Sequence, residues 1–190
     1  MLMIQIKSTL RSALRCDFVR REDGTIAVEA MIVMPLLFWT YLSMFSIFDA
    51  FRMYSINQKA AYTIGDAISR ETVPIDGEYL AGVQDLFEYL SRSQDKTSIR
   101  VSSVWYDADA DEYRADWSQK LGWVVPLTDI DVKNWHSKLP VLPDNERLVL
   151  VETWSEYDPP FNTGLEDREI RNFVFTRPRY APRVCWETCN

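Results

Sequence analysis

The sequence predicts an α+β protein: a long N-terminal helix, transmembrane at first and extending into the aqueous phase, then a small helix and a short antiparallel-sheet head domain. Three observations carry this. Residues 30–48 hold no formal charge, apolar residues recur at helical spacing beyond Asp49, and from Ile99 the hydrophobic period falls to two. At 190 residues the chain has room for one ordinary domain and such a segment. A composition 47% hydrophobic and 26% charged, with only 6 glycines, excludes global disorder, collagen-like repeats and low complexity.

Glu29 and Asp49 bracket the uncharged run, and twenty helical steps between them span about 30 Å, the thickness of a bilayer's hydrocarbon core. No polar stripe interrupts the Met, Ile, Leu, Phe and Trp content, so a buried helix of a soluble domain fits it less well. The run is also too long for a secretory signal, and no small-residue cleavage pattern follows it. Lys7, Arg11, Arg15, Arg20 and Arg21 outweigh Asp17, Glu22 and Asp23 before it, so residues 1–24 carry a net +2 and the rest −9. The positive-inside rule then places the N-terminus in the cytoplasm and the acidic remainder outside.

The organisation follows as a leader over residues 1–24, a transmembrane helix over 25–50, a helical stalk over 51–72 and an extracytoplasmic α+β domain over 73–190. In the leader, Leu10, Leu14 and Phe18 fall on one helical face and Lys7, Arg11 and Arg15 on another. This fits an interfacial helix or a disordered tail equally. Pro35 removes a backbone donor inside the span and predicts a local kink. Met53, Ile56, Ala60, Ile64 and Ala67 predict that the helix continues to about Arg70, with Pro74 and Gly77 closing it.

A second helix over 78–92 aligns Leu80, Val83, Phe87 and Leu90. Strands follow over 99–106, 113–118, Arg147–Tyr157 and 171–177, with a short helix within 127–138 capped by Asp129. Six of the seven tryptophans, at 105, 117, 123, 135, 154 and 186, lie beyond the span and predict an aromatic core, or else a partly exposed binding surface.

A net charge of −7 and a pI near 4.8 argue against nucleic acid as a partner. Asp107, Asp109 and Asp111 resemble the start of a calcium loop. However, Glu112 stands where that loop needs glycine and Ser118 where it needs glutamate, so a solvated hairpin turn is the better reading. His136 is the only histidine and reads as a surface or capping residue. No nucleophile elbow, phosphate loop or dinucleotide fingerprint occurs, and the pair Glu152 and Glu156 does not by its spacing define a catalytic cleft. Neither a cofactor, a metal site nor a catalytic residue is therefore expected.

Cys16 precedes the span, whereas Cys185 and Cys189 follow it, on the side where oxidation is permitted. The last two can close a local disulfide or stay as thiols for another chain. A zinc site lacks ligands, because histidine partners are missing.

The residues before the span, Arg20-Arg21-Glu22-Asp23-Gly24-Thr25-Ile26-Ala27-Val28-Glu29-Ala30, place a glycine after a basic leader and an acid five residues on. This resembles the processing site of type IV pilin-like proteins, and GTIAVEAMIVMPLL resembles the start of the TadE/TadG-like family of tight-adherence pilus assembly proteins. Weaker matches lie in residues 148–161 and 176–180. The resemblance implies scission between Gly24 and Thr25 by a prepilin peptidase, with Glu29 as fifth residue of the mature chain. The implied role is a non-catalytic pseudopilin-like component of the bacterial inner membrane. Its implied partners are the pilus assembly platform, the major pilin and other minor pilins.

A carboxylate at the centre of a membrane costs about 2.5–3.5 kcal/mol, so Glu29 would gain from pairing with the new ammonium of Thr25 in its own or a neighbouring chain. A solvated interfacial acid, or one placed in the first turn by the helix dipole, is the alternative. Thr25 stands where many major pilins carry phenylalanine, and some relatives are uncleaved anchors. A permanently anchored assembly factor, and a membrane-tethered envelope enzyme or glycan-binding protein, therefore stay open as other readings.

Overall fold

The computed structural model describes residues 25–93, 97–161 and 164–189. The leader, Cys16 and Gly24 lie outside the described residues. The chain divides into two compact units, Met1–Ile47 and Phe48–Asn190.

The first helix, α1 (Thr25–Ser69), is 45 residues long, and Pro35 sits inside it without ending it. In the first unit most of its apolar side chains face outward, Ile26 being 75% exposed and Met31 77%, while Leu42 is partly buried and Ser46 fully so. In the second unit the same helix has a buried stripe of Asn57, Ala60, Ala61, Ile64 and Ile68. That stripe departs from the predicted one, since Met53, Ile56 and Ala67 are only partly buried while Asn57 and Ile68 are fully so. The cause is the close approach at Gly65, where an added Cβ would come within 3.3 Å of Val174 Cγ1. The stripe is centred on the face that carries this glycine.

Helix α2 (Gly77–Ser91) starts at Asp76, whose carboxylate accepts the Tyr79 N–H at 2.9 Å, and ends at Arg92 in the left-handed conformation. Leu80, Val83 and Phe87 are buried and Leu90 packs against them, as the spacing predicts.

Four strands follow: β1 (Thr97–Asp107), β2 (Glu112–Leu121), β3 (Arg147–Tyr157) and β4 (Arg168–Thr176). They form one antiparallel sheet in the order β2-β1-β3-β4. Strand β2 runs further than predicted, and β4 begins and ends earlier. The longer β2 and the earlier start of β4 reflect pairing, because β1 and β3 template their neighbours beyond the stretch of obvious alternation. A bulge at Ser103/Val104 shifts the β1–β2 register by one residue.

One sheet face presents Ile99, Val101, Val149 and Val151 to α1 and α2. The other face is covered by the β2–β3 crossover, whose Val132, Leu139 and Leu142 pack on Val104, Tyr113, Leu148 and Leu150. This crossover holds the short helix expected there, the four-residue α3 (Asp129–Val132), followed by a 3-10 turn (Trp135–Ser137).

Thr128 precedes α3, with its N–H and hydroxyl both donating to Asp131 Oδ2 at 2.9 and 2.7 Å. Asp129 is therefore not the cap. Its carboxylate accepts the Ala115 N–H at 2.8 Å and, with Lys133 O accepting the Tyr113 N–H, seals the outer edge of β2.

The aromatic core does not materialise. Of the outer tryptophans only Trp154 is buried; Trp105, Trp117, Trp135 and Trp186 are half-buried, and Trp123 is exposed. Phe87 is the aromatic ring fully buried between helix and sheet, while Trp117 and Trp186 pack against that core from its rim and meet at 5.9 Å.

Candidate functional site

Among the described residues one helix is long and apolar enough to cross a membrane, and it is α1. Its residues 26–48 present Ile32, Leu36, Phe38, Trp39 and Phe48 outward, each more than half exposed. In water this much contiguous apolar surface is strongly unfavourable, at roughly 25 cal/mol per Å2. Lipid or neighbouring apolar helices remove that cost.

Thr25 opens α1, and Glu29 is exposed on its surface. Neighbours on its face are Ile26, Ile32 and Val33, all apolar, which makes Glu29 the single formal charge along residues 25–48. Thr40 donates its hydroxyl to Leu36 O at 2.8 Å, so its polar atom is satisfied within the helix.

The head holds α1 at two levels. Tyr157, the last residue of β3, donates its hydroxyl to Asp49 Oδ2 at 3.0 Å. Burial, with Asp49 beside it, pushes the Tyr157 phenol up to about 12, so it stays a neutral donor over the whole physiological range. At the other end the Arg179 N–H donates to Ser69 O at 2.7 Å. The C-terminal segment continues this clasp: the Ile75 N–H reaches Cys185 O at 2.9 Å and Trp117 Nε1 reaches Val184 O at 2.9 Å. Cys185 and Cys189 are joined in a disulfide that closes the end of this segment, with Cys185 buried. Glu29 belongs to the first compact unit and the cysteines to the second.

Sequence reasoning missed the charged cluster on the crossover face. Arg100 and Glu152 face each other across β1 and β3 and form a buried ion pair, with Arg100 Nε at 2.7 Å from Glu152 Oε2. Arg171 Nη2 takes Oε1 at 2.9 Å. Both guanidinium groups stack on Trp154, at 5.1 and 5.2 Å from its ring. Arg100 also donates to Val125 O at 2.7 Å and so ties the crossover to the sheet. The signal was present, since Arg100 and Glu152 each interrupt an apolar strand, but pairing them required the β1–β3 register. With both its oxygens engaged, Glu152 is a structural anion, and the pair with Glu156 acquires no opposed geometry.

His136 is half-exposed, and its Nε2 lies 3.1 Å from Asp111 Oδ1, which also accepts the Tyr106 hydroxyl at 2.6 Å. Those two contacts hold the Asp111 carboxyl below its usual range, and the Asp111 carboxylate pushes the Tyr106 phenol up to about 12. The three aspartates at 107, 109 and 111 lie at the β1–β2 turn. There Asp107 accepts the Ala110 N–H at 3.2 Å and Asp111 takes a left-handed φ of 52°. Among the described residues no group of three or more His, Cys, Asp or Glu side chains is placed to hold a metal ion.

The layout is α+β and pilin-like: a long apolar N-terminal helix whose second part packs on an antiparallel sheet. Comparison of the chain with protein families, with curated proteins and with solved structures finds no match.

Proposed function

We propose that this chain is a non-catalytic, pseudopilin-like membrane component that assists initiation or assembly of a tight-adherence pilus. The observation that carries the reading is the outward-facing apolar surface of α1 over residues 26–48, continuous with a helix seated on a sheet head. Such a segment can move from lipid into a bundle of like helices without changing its hydrophobic environment. Residues 30–48 would span the bacterial inner membrane, with the N-terminus cytoplasmic and the head periplasmic. The head, outside the reducing cytoplasm, is where the Cys185–Cys189 bridge can persist.

In this reading a prepilin peptidase cuts between Gly24 and Thr25, and Glu29 pairs with the freed ammonium of Thr25 in its own or a neighbouring chain. The assembly platform, the major pilin and sibling minor pilins are the partners. Intact-mass and N-terminal determination on the membrane-extracted protein tests this: the expected chain begins at Thr25, and Gly24→Leu blocks the truncation. A chain that keeps residues 1–24 in cells with an active peptidase would instead be a permanently anchored assembly factor.

A further inference from the structure

We propose that the outer edge of β4 takes up an extended segment of a partner protein as a further strand, one that sets an acid against Arg171 and apolar side chains against Phe173 and Phe175. This goes beyond the pilus reading and does not depend on the medium around residues 26–48.

The sheet closes one of its outer edges and leaves the other open. On β2, Asp129 and Lys133 O take the Ala115 and Tyr113 N–H groups. At the opposite end of the order, β4 pairs with β3 over all 9 of its residues in one unbroken register. In such a ladder alternate residues turn their N–H and C=O groups away from the neighbour. Among the described residues nothing bonds to those outward groups of β4. The devices that usually blunt an edge are also missing there: β4 has no proline and no bulge, and residues 172–176 carry no charge.

The side chains along the edge define the strand that fits. Val174 lies against Gly65, so Ile170 and Val174 face α1, and both are buried. Glu169, Arg171, Phe173 and Phe175 alternate onto the crossover face. Arg171 gives Nη2 to Glu152, yet its side chain stays 54% exposed, so a second carboxylate can reach it. Phe173 meets Trp135 at 5.8 Å and Phe175 at 6.5 Å, and Phe175 is 43% exposed. The face therefore reads acid, base, ring, ring. An antiparallel complement reads apolar, apolar, acid, base at alternate positions, because directly opposed residues interact across a strand pair. Main-chain bonds supply the affinity, and this order selects the partner. A second copy of β4 fits less well: with its Glu169 opposite Arg171, Phe173 would face the copy's Asp167.

The test uses the full chain in detergent and a fluorescent peptide, Leu-Thr-Phe-Thr-Glu-Thr-Lys, whose alternate residues match Phe175, Phe173, Arg171 and Glu169. Saturable binding is expected, lost in Phe175→Asp and several-fold weaker when Glu and Lys of the peptide are exchanged. Two N-methylated peptides, each blocking one alternate set of amides, separate strand addition from simple adhesion. One should bind nearly as well as the parent and the other not at all. Equal binding of the two, or no saturable binding of the parent, overturns the proposal and leaves the pilus reading standing. A chain that dimerises without peptide, and whose dimer Phe175→Asp breaks, assigns the edge to a second copy and overturns the choice of partner. Should Phe175→Asp fail to fold, Glu169→Lys gives the same reading by repelling the peptide's Lys.

Discussion

Along residues 26–48 of α1 nearly all the large apolar side chains are exposed, Leu42 being partly buried, whereas along residues 49–69 the apolar face, at Ile64 and Ile68, is buried beneath the sheet. One backbone helix thus carries two hydrophobic patterns. The second part is amphipathic, and its stability comes from an aliphatic core shared with α2, β1 and β3. The first has no polar face to leave in water and draws its stability from whatever apolar medium surrounds it. Hydrophobicity alone therefore does not say where a residue is buried; the presence or absence of a polar stripe does.

The contrast can be broken most forcefully at Phe87, buried against the second part of α1. Phe87→Ala should destabilise the head by about 4 kcal/mol, read as a shift in the urea midpoint in detergent. Phe38→Ala, at a site 65% exposed, should leave that midpoint unchanged. Equal losses at the two sites would mean that the two parts of α1 are not energetically distinct.

A smaller loss, about 3 kcal/mol, is expected for Glu152→Ala, which strands the buried Arg100 without its counter-ion. The same midpoint measures it, and because Arg100 also holds Val125 O, amide exchange should quicken in the crossover ahead of the α1 core.

The smallest effect belongs to the bond at the start of the second part. Tyr157→Phe should cost about 1 kcal/mol near neutral pH by removing the bond to Asp49. Its pH signature follows from the direction of the shift. A phenol raised to about 12 in the folded head, against about 10 when unfolded, contributes stability that is complete below about pH 10. That contribution is lost as pH rises toward 12. Tyr157→Phe should flatten the alkaline fall in the urea midpoint; an unchanged slope would assign the fall to the other phenols pushed up to about 12, Tyr79 by burial and by Glu71 and Tyr106 by Asp111.

Several features were legible before any fold was built. The length of α1 followed from apolar spacing, α2 from Leu80, Val83 and Phe87, and β3 residue for residue from its β-branched run. Each is a local pattern that repeats over three or more turns or alternations. Failures fell where a partner chooses among local options. Thr128 rather than Asp129 precedes α3 because Asp129 is taken by the exposed edge of β2. The tryptophans fell on different sides of the sheet, Trp154 with Arg100 and Arg171, Trp135 against the crossover cluster and Trp117 beside the α1 core, a distribution that only the strand register sets. Glu29 was legible as an isolated acid, and its exposure on α1 adds position without adding a partner.

The sequence by itself determined that a charge-free stretch about 30 Å long precedes an acidic α+β head, because period and charge are written residue by residue. Only the tertiary structure decided that Arg100, Glu152, Arg171 and Trp154 converge, that Tyr157 meets Asp49, and that β2 is sealed by Asp129. Those contacts join residues far apart in the chain. Their energies depend on strand register and on which face a helix offers, and neither quantity exists until the sheet has paired.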